Sequence, residues 1–246
     1  MNTITQLVIL TLSLLLVNAI QVQYCTNLLK NFKRNCSPSM FIIKNCCELN
    51  ELHTLKPDHA PSGVYKMRKG TFDSSANVYC DMTTNGGGWI VITRNKKGST
   101  VDFNKNWTDY EEGFGDLKTE FWYGLEVIHC LTQTGQWEMR VDYQKNDKTW
   151  SYLHYNQFSV GSASEEYPLT VGVFTGEGTD RFAYHNGYKF STPDNGNDNY
   201  SCAASNKSGW WYRQCRHIST NTQPPYVYGH VLFTEMKIRP KSCITH

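Results

Sequence analysis

The sequence carries almost no excess of either charge sign: 24 Lys and Arg face 22 Asp and Glu, a formal net charge of +2. Proteins that grip nucleic acid display a basic stripe or a high pI, so no nucleic-acid partner is expected. Long hydrophobic runs are missing too. The best, Leu7 to Val17 (LVILTLSLLLV), has about 11 residues where a spanning helix needs about 20, so no membrane span is expected. Catalytic signatures are also lacking, with no H-E-x-x-H, G-x-S-x-G or phosphate loop. The glycines of Gly86-Gly87-Gly88 and of Gly172, Gly176 and Gly178 do not open a helix as phosphate cradles do. His129 adjoins Cys130, but neighbours on a helix point about 100° apart and cannot form a catalytic pair. Nothing selects a nucleophile with an orienting base, and no enzyme is expected.

Aromatics, by contrast, are plentiful: 7 Trp, 15 Tyr and 11 Phe, within an apolar content of 39% that suffices for a packed core. The Leu7–Val17 run followed by Val17-Asn18-Ala19 reads as a signal peptide of residues 1–19, cleaved after Ala19, and hence as secretion. In an oxidising compartment the cysteines (Cys25, Cys36, Cys46, Cys47, Cys80, Cys130, Cys202, Cys215, Cys243) should be mostly disulfides. They show neither C-x-x-C nor zinc-site spacing. Their odd number leaves at least one free or bonded to another molecule. Cys25 and Cys36, in a Lys/Asn-rich segment ahead of the aromatic sequence, are the interchain candidates and predict a homo-oligomer. Asn-x-Ser/Thr sequons at Asn35, Asn106, Asn199 and Asn206 agree with an extracellular glycoprotein.

Residues 20–42 read as a tether, with Leu28, Leu29 and Phe32 on one short helical stripe and a break at Ser37-Pro38-Ser39. Residues 43–243 run on without a linker or repeat and form one domain. Trp89–Arg94 reads as a buried strand after three glycines, Trp137–Tyr143 as a half-exposed strand of period two, and Val231–Ile238 as a closing strand. Leu125–Leu131 has helical spacing, and 185–209 and 216–225 have loop composition. The fold class is α+β, with β and irregular structure dominant.

Ordered motifs then carry a resemblance. Ser62-Gly63-Val64-Tyr65, Val78-Tyr79-Cys80-Asp81-Met82 and Asn85-Gly86-Gly87-Gly88-Trp89 come first. Val101-Asp102-Phe103, Gly113-Phe114-Gly115-Asp116-Leu117 and Glu120-Phe121-Trp122 follow. Phe190-Ser191-Thr192, Cys202-Ala203, Gly209-Trp210-Trp211-Tyr212, Cys215 and Met236-Lys237-Ile238-Arg239-Pro240 complete the order. From about 46 to 241 the sequence resembles the fibrinogen C-terminal domain shared by ficolins, tachylectin-type lectins, angiopoietins, tenascins and fibrinogen. The resemblance implies two intradomain disulfides, Cys80 with Cys46 or Cys47 (Cys47 being the working assignment) and Cys202 with Cys215. The latter closes a loop of about 14 residues and contributes about 3 kcal/mol in the chain-entropy model. Cys243 and the remaining member of the Cys46/Cys47 pair stay available for interchain bonds, and Cys130 is expected as a buried thiol. In lectins of this family the pocket after the second loop cysteine takes acetyl groups of N-acetylated sugars. Carried over by position, Cys215 and Arg216 supply backbone amides, His217 follows, Trp211 and Tyr212 lie nearby, and Tyr226 or Tyr228 adds a wall.

The sequence also departs from that pattern. The family's calcium loop maps to Asp194, Gly196 and Asp198, with the carbonyl of Tyr200 beyond, so one of its acids is missing. Calcium prefers six to eight oxygens, several of them anionic, and a weakened calcium site is expected. Arg216 stands where family lectins carry His, which favours an acidic sugar. The tryptophan-containing stretch before the final strand is shortened by roughly a dozen residues relative to the resemblance, and the collagen-like repeat of ficolins is lacking. The leading expectation is a secreted lectin for acetylated or acidic glycans, working in innate immune pattern recognition with glycans or glycoproteins as partners. The alternative is a matrix, adhesion or receptor-binding ligand without lectin activity.

Overall fold

The computed structural model describes residues 42–43, 45–49, 60–69, 74–133, 135–215 and 217–244. The expected signal peptide, nearly all of the tether with Cys25, Cys36 and Asn35, and Arg216 lie outside the described residues.

The principal sheet is built from β1 (Ile42–Ile43), β2 (Gly63–Lys69), β3 (Ser74–Asp81), β4 (Trp89–Lys96), β5 (Phe114–Gly115), β6 (Phe121–Trp122), β7 (Trp137–Gln144), β8 (Trp150–Tyr155) and the closing strand β11 (Phe233–Pro240). A separate hairpin pairs β9 (Phe158–Val160) with β10 (Leu169–Val171). Among the described residues the α-helices are short, α1 (Trp107–Glu112), α2 (Leu125–Thr132) and α3 (Cys202–Asn206), with single 3-10 turns between elements. The strand order β1-β2-β3-β4-β11-β7-β8, with β5 and β6 joined to the side of β4, is antiparallel except for the β1–β2 pair.

Local sequence explains the central strands. In β7 the side chains of Met139, Val141 and Tyr143 are buried while the intervening Arg140 and Asp142 reach the surface, the period of a strand with one solvated face. β4 is buried from Trp89 to Asn95 because β3, β6 and β11 flank it. α2 buries Leu125, Ile128, His129 and Thr132, the spacing of one helical face. His129 Nδ1–H donates to the Val160 carbonyl at 2.9 Å, which ties this helix to the β9 strand. The turn into β4 needs glycine: Gly87 has φ +72°, and a Cβ there would stand 2.5 Å from the Met82 carbonyl oxygen. The open edge of β8 is covered by the following loop, where Thr175 N–H donates to His154 O and Glu177 N–H to Tyr152 O, both at 2.9 Å.

The cysteines depart from three expectations. Cys80 pairs with Cys46, not Cys47, and Cys47 pairs with Cys243. Cys243 and Cys47 are thereby removed from the interchain candidates, because the closing strand brings the C-terminal turn back beside the domain entrance. Cys130 is half-buried and disulfide-bonded, not a buried thiol; its partner lies outside the described residues. Cys202 pairs with Cys215 as the resemblance implies.

β11 also brings an ammonium group into the sheet. Lys237 is 2% exposed, and its Nζ sits 2.6 Å from Asp81, 2.8 Å from Glu235 and 2.9 Å from Asp142. Arg94 pairs with Glu235 at 2.7 Å and Arg140 with Asp142 at 2.8 Å, which balances the surplus of carboxylates. Burial disfavours the Asp81 carboxylate, but the charge and hydrogen bond of Lys237 outweigh it and hold the group well below the usual carboxylate range. Its stabilising contribution is therefore present above the unfolded value of about 3.9 and is lost as pH falls below it. Lys237→Met, which keeps the stem and removes the charge, should cost about 3–5 kcal/mol in urea unfolding at pH 7. A loss below about 1 kcal/mol would show that the three acids do not depend on this amine.

Candidate functional site

The long connection between β10 and β11 forms the site in two segments, each held from below. In the first, Phe190 packs edge-on against Trp211 with ring centroids 5.1 Å apart, and lies 5.3 Å from Tyr110 and 5.7 Å from Trp122. Trp211 Nε1–H donates to Tyr167 O at 2.7 Å and Trp122 Nε1–H to Tyr110 O at 2.8 Å, so both indoles are buried with their polar atom satisfied. The Cys202–Cys215 bond then ties α3 to the turn after Tyr212, and Asn206 Nδ2–H donates to Cys215 O at 3.0 Å.

The second segment, 217–230, hangs from the sheet. Asn95, 0% exposed on β4, donates its amide to the carbonyls of Thr220 at 2.7 Å and Thr222 at 2.9 Å, and accepts from Gln223 Nε2 at 2.9 Å. Asn221, also fully buried, donates to Gly209 O at 3.1 Å and accepts from Thr93 Oγ1 at 3.2 Å. Ser219 and Tyr226 exchange backbone hydrogen bonds of 2.9 and 3.0 Å, which closes the loop on itself.

Between the two segments opens a concavity of about 670 Å³, lined by Asp102, Asn206, Cys215, His217, Tyr226 and His230 among others. Of the residues named from sequence, Cys215, His217 and Tyr226 meet here. Trp211 and Tyr212 do not. They are 0% and 1% exposed, and the Tyr212 hydroxyl is paired with Ser208 Oγ at 2.7 Å while burial pushes it up to about 12. The expectation that they face a ligand is corrected: they form the floor's support, because residues far apart in sequence (Tyr110, Trp122, Tyr167, Phe190) converge on them. Tyr228 lies outside this concavity and lines a neighbouring one.

The surroundings of His217 are cationic and aromatic. Its ring stacks on Tyr184 with centroids 3.9 Å apart, and the Arg213 guanidinium lies 4.4 Å from the centre of the same tyrosine ring. Desolvation, and then the charges of Arg181 and Arg213, lower the His217 pKa below its ordinary value. A neutral imidazole near two guanidinium groups can donate and accept hydrogen bonds in a field that favours negative charge.

The acids expected at a calcium loop are already engaged. Asp198 accepts from the backbone N–H of Cys202, and from that of Ala203 at 3.2 Å, which caps the start of α3. Asp194 accepts from Trp107 N–H at 3.0 Å and Thr192 Oγ1–H at 2.7 Å. Tyr200 is 62% exposed. Among the described residues no group of three or more His, Cys, Asp or Glu side chains is placed to hold a metal ion. Both carboxylates thus accept hydrogen bonds from the protein itself, and Gly196 leaves the expected loop without its further acid.

The described sequons differ in setting. Asn106 is exposed and caps α1, its side-chain oxygen accepting from Asp109 N–H at 2.8 Å. Asn199 is exposed. Asn206 faces the concavity with its amide nitrogen already donating to Cys215 O.

Sequence reading missed Asn95, Asn221, Asp102 and His230. Asn95 leaves a trace, a polar amide just beyond the run Trp89–Arg94 and still within the strand; Asn221, within a string of polar loop residues, leaves none.

His185 ties the segments together and sets an acid limit. It is 0% exposed, and its Nδ1–H donates to Trp211 O at 2.7 Å. Desolvation, with smaller contributions from His217 and Arg213, lowers its pKa to about 4. Below about 6.5 the unfolded protein takes up a proton that the folded protein refuses until about 4, so stability falls as pH drops through that window, by about 3 kcal/mol. Denaturation midpoints measured from pH 7 to 4 should show this slope, and His185→Gln should flatten it; an equally steep slope in the variant would assign the loss elsewhere.

Comparison with known proteins places these features. The family model for the C-terminal globular domain of the fibrinogen beta and gamma chains matches residues 44–241. Tenascin-R of Gallus gallus is 40% identical over 196 residues, 73% of this chain but 14% of that protein's length. Fibrinogen-like protein A of Apostichopus parvimensis is 37% identical over 218 residues, 81% of this chain and 76% of that one. The fibrinogen-like globe domain of human ANGPTL6 superposes with a TM-score of 0.73 at 31% identity, covering 83% of this chain and 99% of that domain. A lamprey fibrin D-dimer complexed with the peptide Gly-His-Arg-Pro-amide superposes with a TM-score of 0.64 at 27% identity, covering 96% of this chain and 87% of that one. Fibrinogen-like domains are non-enzymatic binding domains, these relatives include matrix and secreted proteins, and the disulfides suit that setting. Among the described residues no helix is long and apolar enough to cross a membrane. Prebuilt concavity, cystine-held loop and matching sequence agree: the chain belongs to the fibrinogen C-terminal domain family.

Proposed function

We propose that this protein is a secreted lectin that binds acetylated or acidic glycans in the concavity beside Cys215, in the service of innate immune recognition. The observation that carries the reading is the meeting of Cys215, His217 and Tyr226 in one pocket, with the charges of Arg181 and Arg213 acting on His217. A pocket of this volume suits a small ligand. Neutral His217 and the backbone of the cystine turn supply hydrogen bonds for an acetamide or a hydroxyl. The two arginines favour a carboxylate-bearing sugar over a cationic one. Binding needs no calcium in this reading, because Asp194 and Asp198 are held by the protein itself. Single-site affinity for sugars is weak, so clustering through whichever of Cys25 and Cys36 is not bonded to Cys130 would raise avidity about 10²–10⁴-fold.

A second reading is a receptor- or matrix-binding ligand without lectin activity. The lamprey relative that holds a tetrapeptide, together with the kinship to tenascin-R, favours it.

A glycan array probed with and without calcium separates the two. Retention of N-acetylated or sialylated glycans, equal in both conditions and weakened about tenfold by Arg213→Ala, is expected. If no glycan is retained in either condition while the Gly-His-Arg-Pro peptide is, the second reading replaces the first.

A further inference from the structure

Beside the concavity at Cys215 lies a second one, of about 540 Å³, lined by Tyr143, Lys145, Ser151, Glu177, Tyr228 and His230 among others. His230 lines both, so the two concavities are neighbours that meet at this residue. This shared residue is held from two sides. Tyr226 packs edge-on against the His230 ring with centroids 5.5 Å apart, and Asn146 Nδ2–H, from the β7–β8 turn, donates to His230 O at 2.9 Å.

The second concavity has walls of its own. Tyr228 is 36% exposed, yet its hydroxyl is clamped by Thr179, accepting from the backbone N–H at 2.6 Å and donating to the carbonyl. Its ring stands 6.1 Å from buried Tyr143, and the Arg181 guanidinium lies 4.5 Å from its centre. Opposite, Ser151 Oγ–H donates to Glu177 at 2.7 Å, which leaves the other carboxylate oxygen for a ligand. Lys145 is exposed at the rim.

We infer that the two concavities form one groove, and that its ligand is an extended oligosaccharide whose terminal sugar lies beside Cys215 and whose following sugars lie between Tyr228 and Glu177. This rests on the lectin reading above and adds the length of the ligand to it. Each concavity alone falls within the range of about 300–1,000 Å³ that suits one small ligand, whereas the two joined at His230 exceed it. A carboxylate, a hydroxyl and an ammonium around a tyrosine wall match a polymer rich in hydroxyls. An extended peptide would instead seek a free strand edge to join. The edge of β8 beside this groove is already taken by the backbone of Thr175 and Glu177.

Calorimetric titration of the whole protein with N-acetylglucosamine and with its β1,4-linked tetramer tests the groove. The tetramer is expected to bind at least about tenfold tighter than the monosaccharide. Glu177→Gln, at an exposed position, and Tyr228→Ala should each reduce tetramer affinity to the monosaccharide level and leave monosaccharide affinity unchanged. Equal affinity for both sugars in the unaltered protein, with both variants silent, would overturn the groove while the lectin reading stands. Binding of neither sugar, nor of N-acetylneuraminic acid and its oligomers, would overturn the lectin reading itself. Gly-His-Arg-Pro peptide binding that Glu177→Gln abolishes would assign the groove to a peptide and overturn the saccharide proposal.

Discussion

A buried carboxamide on β4 joins the sheet to the loop that forms the pocket, and the rest of the site depends on it. Asn95 stands where the strand leaves the core, and its amide answers two loop carbonyls and one loop side chain at once. Asn221 returns the link from the loop to Thr93 and Gly209. A buried carbonyl left without a donor costs about 1–3 kcal/mol, so a loop with several such groups cannot drift from the strand cheaply. β4 is itself immobilised by pairing with β3, β6 and β11, so the pocket inherits the rigidity of the sheet. A preformed pocket avoids the ordering cost that a mobile loop would bear on binding.

Two further constraints hold the opposite wall. The Cys202–Cys215 bond limits how far α3 can move from the turn that carries His217, and Asp198 caps that helix with its carboxylate. The cystine and these hydrogen bonds are what hold the wall in this structure. Below both walls the aromatic cluster of Tyr110, Trp122, Phe190 and Trp211 fills the space that long loops leave under-packed, at the large apolar area per residue that only aromatic side chains supply.

What was legible in the sequence follows from how local its cause is. The alternation in Trp137–Tyr143, the apolar run in Trp89–Arg94 and the helical spacing in Leu125–Leu131 are short-range patterns, and strands and a helix stand there. Cysteine pairing is not local. Adjacent Cys46 and Cys47 part toward Cys80 and Cys243, which no spacing rule separates, and the bond at Cys130 was likewise out of reach. Trp211 and Tyr212 show the same limit at the site. An aromatic beside a polar loop looks alike whether it faces a ligand or the core, and the decision lies with residues as distant in sequence as Tyr110 and Trp122. Asn95 and Asn221 are ordinary polar letters until the fold buries them.

The central claim is that the pocket exists before any ligand arrives. Hydrogen–deuterium exchange on the unliganded protein tests it most directly, read at the amides of Ser219 and Tyr226, which bond each other across the loop. Protection approaching that of β4, lost when Asn95→Ala removes the link, is the predicted result. Exchange as fast as that of an exposed turn in the unaltered protein would contradict the account.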